Sequence, residues 1–202
     1  MTLFLKGLAF GFVLAATVGP MWILCLRRTL AQGPLIGVAS GMGIAVADGF
    51  YGTVAAFGIT AVSDALLRYS FWIGLVGSVF LVYLGIHTLL SRPATSNPLE
   101  ERPNLSRAFL STFGLTLANP PTILAFAAIF AGLGLASSAD YYSAGVVVAG
   151  VFFGSAGWWI ILPLGAGALR ERIGSRLFRA INLISGLSIL AFAFWQLAAL
   201  LH

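Results

Sequence analysis

Charge is what this sequence has least of. Only 8% of its 202 residues are Asp, Glu, Lys or Arg, and six of them are acidic, whereas a soluble domain carries about 25% charged residues to cover its surface. Water is therefore not the main solvent of this chain. Cysteine is scarcer still: Cys25 stands alone, which rules out an intramolecular disulfide, a CxxC redox pair and a thiolate metal cage. The net charge of +5 does not point to nucleic acid, because the eleven basic residues sit in short clusters between apolar stretches and not along one face.

Long apolar runs fill the rest. A hydrocarbon core about 30 Å thick needs roughly 20 apolar residues of helix, because in lipid each segment must satisfy its own backbone N–H and C=O groups. Six stretches qualify, at roughly 5–26, 36–60, 70–90, 108–134, 143–165 and 180–201. The expected fold class is an all-α integral membrane protein of six transmembrane helices. The runs are continuously apolar and do not alternate by two, which excludes a transmembrane β-barrel. The first run is too long for a signal peptide and lacks a small-residue cleavage site before Arg27, so it reads as a retained helix.

The connections differ in charge. Nine of the eleven basic residues fall in the odd-numbered connections, as Arg27 and Arg28, then Arg92, Arg102 and Arg107, then Arg170, Arg172, Arg176 and Arg179; Lys6 and Arg68 lie on the other side. Cytoplasmic loops retain Lys and Arg, so the expectation is an Arg-rich cytoplasmic side with both termini periplasmic. The segment rich in proline and polar residues around Pro93, Pro98 and Pro103 is the one linker and falls at the middle of the chain. It divides the sequence into a first three-helix repeat over 1–90, a cytoplasmic linker over 91–107 and a second three-helix repeat over 108–202.

The halves look related. Displacing the chain by one hundred residues lays Gly19-Pro20, with Ile23-Leu24 after it, on Asn119-Pro120 with Ile123-Leu124 after it. A displacement of about 109 lays the Gly77 neighbourhood on Gly186. Each half has three spans, an odd number, so homologous halves joined by a short linker insert in opposite orientation. Inverted repeats of this kind give two nearly equivalent conformations with a site near the bilayer midplane.

Pro20 and Pro120 each lack an N–H and clash with the carbonyl four residues earlier, so each is expected to interrupt its helix and free polar backbone at membrane depth. Pro121 strengthens the second break, and Gly19 and Asn119 suit the turns. Asp48, in AVADGFYG, is the one clearly central ionisable residue in any span. Its insertion costs about 2.5 to 3.5 kcal/mol on translocon scales. It can hold a substrate amine or carry a proton coupled to substrate movement. Tyr51, one turn on, is positioned to bond it. Gly7 with Gly11, Gly37 with Gly41 and Gly150 with Gly154 are GxxxG patterns that permit close helix approach, and are compatible with a homodimer. Trp158 and Trp159 lie too deep for an interfacial belt. Asn182 and Gln196 are further polar candidates.

Together the blocks GPMWILCLRRTLAQGPLIGVASGMGIAVADGFYG and LTLANPPTILAFAAIFAGLG, in a six-span chain of this length, resemble the LysE/RhtB family of bacterial amino-acid exporters. That family shows a Pro-Gly-Pro-Asn-like block in helix one, a Gly-Asp block in helix two and an Asn-Pro-Lys block in helix four. Gly19-Pro20, Asp48 and Asn119-Pro120 match; Met21 stands where Asn is usual and Pro121 where Lys is usual. The resemblance implies export of amino acids or related small solutes from the cytoplasm across the bacterial inner membrane, driven by the proton gradient or membrane potential. The substrate-binding residues expected are Gly19, Pro20, Asp48, Tyr51, Asn119 and Pro120, with Asp48 carrying the proton.

Other classes fit less well. An intramembrane enzyme needs a catalytic constellation, and there is no HExxH, no second central aspartate and no Ser/His pair at membrane depth. A heavy-metal cation exporter is the main alternative, weakened by the lack of clustered Cys, His and acidic ligands. No cofactor, no metal and no nucleic-acid partner is expected; the partners are a small-molecule substrate and the lipid bilayer.

Overall fold

A computed structural model of the chain describes residues 2–56, 68–90, 104–119, 122, 126, 141–169 and 175–201. Within them lie seven helices and no strand: α1 (Thr2–Ala16), α2 (Pro20–Gln32), α3 (Pro34–Ala56), α4 (Ser70–Leu90), α5 (Leu105–Leu117), α6 (Tyr141–Leu169) and α7 (Ser175–Leu201). Four helices are long and apolar enough to cross a membrane, and the bent pair of α1 and α2 makes a fifth crossing if it is one span. The chain is therefore a multi-pass helical membrane protein. Most of the expected fourth span beyond Asn119, the end of the second beyond residue 56 and the linker from 91 to 103 lie outside the described residues, as do Arg92, Arg102, Arg170 and Arg172.

Burial is inverted relative to a soluble protein. Val18, Val76, Leu90 and Ile184 are largely exposed, while Ser40, Asp48, Thr112, Ser155, Asn182 and Gln196 are buried. Lipid tails are as apolar as leucine, so there is little to gain by hiding Leu or Val, and polar side chains turn inward to find partners.

Glycine sets the helix spacing. A Cβ at Gly7 or Gly11 would strike the carbonyls of Val147 and Val151, and one at Gly150 or Gly154 would strike those of Phe4 and Leu8. The register rises together in both helices, so α1 and α6 run parallel at backbone contact. Between α3 and α6 the order reverses: Gly37 faces Pro163, Gly41 faces Trp159 and Gly52 faces Val148, an antiparallel pair. α4 and α7 are likewise antiparallel, with Gly74 against Leu200 and Gly186 against Leu89. α3 and α5 run parallel, from Gly43 against Phe109 up to Tyr51 at Leu117. The GxxxG patterns thus serve packing within one chain.

The first span, expected over 5–26 with an interruption at Pro20, is interrupted there. It is two helices bent by 73°, parted at Thr17–Gly19, with Pro20 as the first residue of α2. The first position tolerates proline because its N–H would have no helical partner anyway. α2 also runs past the expected end of the span. Arg27 and Arg28, expected in a connection, lie inside it, and the chain turns only at Gly33, whose φ of 100° is a conformation that favours glycine. Pro34 then opens α3.

The backbone contacts make a contrast testable by thermal unfolding in detergent. Gly150→Ala should cost about 1 to 3 kcal/mol by forcing α1 and α6 apart. Gly114→Ala, with nothing within 4 Å of the added Cβ, should cost nothing and gain up to about 1 kcal/mol from helix propensity. Equal stability of the two variants would contradict the α1–α6 packing.

Candidate functional site

The two helix breaks and the one buried acid define the site. At the first, Gly19 is extended (φ −149°, ψ −176°), and its Cβ position meets nothing within 4 Å. Thr17 covers the end of α1: its Oγ1 donates to the Val13 carbonyl at 3.0 Å and its N–H to Leu14 at 3.2 Å. Pro20 is buried. The register of α1 on α6, four residues per contact, brings Ala15 at this break level with Ser155.

Ser155 holds the acid. Its hydroxyl donates to Oδ2 of Asp48 at 2.7 Å, and both residues are buried. Among the described residues Asp48 forms no ion pair. Tyr51 does not bond it as expected; its hydroxyl instead donates to the Leu117 carbonyl at 2.6 Å. The reason lies in α5, whose last carbonyls have no helical N–H to accept from because the helix stops there, and the tyrosine is long enough to reach across.

That carbonyl marks the second break. α5 ends at Leu117 with Ala118 as its cap, as a chain approaching proline should, since the residue before proline avoids helical geometry. Asn119 follows, its Nδ2 donating to Thr122 Oγ1 at 2.9 Å. Pro120 and Pro121 lie outside the described residues. Gln196 of α7 reaches in from the other side, its Nε2 donating to Ala118 and Gly74 carbonyls at 3.4 and 3.5 Å.

Several buried polar atoms around these breaks have no hydrogen-bond partner among the described residues: the indole Nε1 of Trp22, Trp158 and Trp159, Oδ1 of Asn119, Oε1 of Gln196 and Oγ of Ser78. Buried tryptophan N–H groups normally find an acceptor. The indoles pack into one apolar cluster with Met21 and Leu24 of α2. Within the described residues the interior therefore holds both donors and acceptors that no side chain or backbone group there satisfies.

Of the six expected residues, Tyr51 reaches the second break at Leu117, two residues before Asn119, Asp48 lies one turn along α3 from Tyr51, Gly19 and Pro20 form the first break, and Pro120 lies outside the described residues. Sequence reasoning missed Ser155, for which a lone serine in a glycine-rich helix gives no local signal. It also missed the hydrogen bonds of Arg28, whose position beside Arg27 reads as a loop charge.

Interrupted spans closing over buried polar groups are the construction of a membrane transporter. The sequence profile of the LysE type translocators matches residues 12–199, and the chain belongs to that family. It is 28% identical over 200 residues, covering 96% of this chain and 95% of the relative, to a Bacillus subtilis (strain 168) protein named "Putative amino acid efflux protein YcgF". No solved structure matches it.

Removing a single buried donor tests the site's internal order. Ser155→Ala leaves the Asp48 carboxyl without its described partner and should cost about 1 to 3 kcal/mol, while Tyr51→Phe should cost about 1 kcal/mol. Ser155→Thr, which keeps the hydroxyl, should lose less. Wild-type unfolding curves for Ser155→Ala would mean that the carboxyl has another partner.

Proposed function

We propose that this chain is a secondary transporter exporting amino acids or related small metabolites across the bacterial inner membrane by alternating access. Two inverted three-helix repeats, residues 1–90 and 108–202, are joined by a cytoplasmic linker over 91–107, and both termini are periplasmic. The observation that carries the reading is the 73° break of the first span at the level of the buried Asp48–Ser155 pair.

The helix pairings support the repeat. If the first three spans are exchanged for the last three, the parallel pair of span one with span five becomes span four with span two, which is the parallel pair α5 with α3. The pairs of span two with five and three with six map onto themselves and must then be antiparallel, as α3 with α6 and α4 with α7 are. Asp48 and Ser155 stand 107 residues apart, near the displacement that relates the halves, so their contact falls close to the axis such a repeat requires.

The chemistry supports a zwitterionic solute. Indole N–H groups suit a carboxylate, and the amide oxygens of Asn119 and Gln196 suit an ammonium. Asp48, held among the described residues by a neutral hydroxyl and no cation, is neutralised either by a proton or by a substrate amine. That competition couples proton movement to export. The relative named for amino acid efflux favours the same substrate class.

Cells fed dipeptides accumulate free amino acids, and their efflux can be quantified for every amino acid at once. Wild type should release one group faster than the empty vector, Asp48→Asn should fall to the vector level, and Pro20→Ala should be slowed without losing insertion. Efflux by Asp48→Asn equal to wild type at all pH values would remove the coupling role. No amino acid released by wild type would overturn the substrate class.

A further inference from the structure

Arg28 of α2 reaches two other helices, α3 and α5. Its Nη1 donates to Ser40 Oγ at 3.0 Å and to the Ala108 carbonyl at 3.1 Å, and its Nη2 donates to Ser111 Oγ at 2.9 Å. Ser111 Oγ and the Ala108 carbonyl are themselves 3.0 Å apart, so together they face the end-on edge of the guanidinium, and Ser40 takes the outer Nη1 hydrogen. Three of the five N–H groups are thus engaged, all by neutral oxygens. The Nε–H and the second Nη2 hydrogen, which share the side-on edge, have no partner among the described residues.

No acid neutralises this cation among the described residues. Arg27 and Arg107 are near enough to act on it with like charge. Ser40 precedes Asp48 by eight residues of α3, about 12 Å of helix rise, towards the end that the arginine distribution makes cytoplasmic.

We propose that the side-on edge of Arg28 is a carboxylate-binding site at the cytoplasmic mouth, separate from the midplane breaks, where the exported solute is first held. Two coplanar N–H groups match the two coplanar oxygens of a carboxylate and make the strong bidentate pair. A phosphate would present further oxygens, whereas the nearest hydroxyls are turned elsewhere: Ser111 donates to Ala108, and Ser40, which accepts from Arg28, sits at the outer Nη1 hydrogen away from that edge. The role as first contact for an amino acid rests on the exporter reading; the carboxylate site itself does not.

Thermal unfolding of the purified full chain in detergent tests it, with sodium acetate as probe against sodium chloride at equal ionic strength. Acetate at tenfold its dissociation constant should raise the wild-type melting temperature by about 3 °C, and should move the Nε–H resonance of Arg28 in a nitrogen-edited spectrum. Arg28→Gln should abolish the shift, and Arg28→Lys, a point charge without the paired edge, should weaken acetate binding about tenfold. If Arg28→Gln does not fold, the lysine variant and the resonance decide. No acetate-specific shift in wild type, an undiminished shift in Arg28→Lys, or a larger shift with inorganic phosphate would each overturn the carboxylate site. The assay needs no transport, so acetate bound at Arg28 in a chain that exports no amino acid would sink the exporter reading and leave this site standing.

Discussion

In hydrocarbon a backbone N–H or C=O without a partner costs several kcal/mol, and the rest of this structure depends on that constraint. An unbroken helix meets it alone; a broken one cannot. Each break here is closed by groups recruited for it. Thr17 bonds back into α1, Tyr51 crosses from α3 to the Leu117 carbonyl, and Gln196 crosses from α7 to Ala118. Those crossings require α3, α4, α5 and α7 to approach closely, and Gly43 of α3 against Phe109 and Gly77 of α4 against Ala118 remove the side chains that would hold α3 and α4 away from α5.

This also sorts what the residues announce from what they conceal. Proline breaks are legible because ring geometry acts locally, so Gly19-Pro20 and the end of α5 before Pro120 can be read without a neighbour in view. Span existence is legible from length and composition. Asp48 is legible because a charge in an apolar run is expensive. Partner choice is different. Tyr51 stands within one turn of Asp48, yet it bonds Leu117, because an orphan carbonyl on another helix competes for its hydroxyl and nothing in local spacing records that carbonyl. Ser155 is concealed for the same reason. Arg27 and Arg28 mislead because a loop charge and a helix charge look alike in sequence; α2 carries both inward, where Asn182, Ser40 and Ser111 receive them.

The interior charges share a property that bears on movement. Asp48 is held by a serine hydroxyl, and Arg28 by two hydroxyls and a carbonyl. Among the described residues each is oriented by neutral groups alone. A buried ion pair between them would satisfy both and would be costly to separate, since removing one partner leaves an uncompensated charge. Neutral partners fix geometry while leaving the charge for something else to balance.

On the exporter reading proposed above, the spacing of the two positions sets an order of events. Ser40, which Arg28 grips, and Asp48 are separated by about 12 Å along α3, whereas the ammonium and carboxylate of an α-amino acid sit on one carbon. No single solute of that kind spans both. A zwitterion entering from the arginine-rich side would therefore give up Arg28 before its ammonium reached Asp48, and the indole N–H groups near the first break would be the donors available to its carboxylate at the second position. Partial compensation at each step keeps either stop from becoming a trap, which is what a carrier needs from sites it must fill and empty in turn.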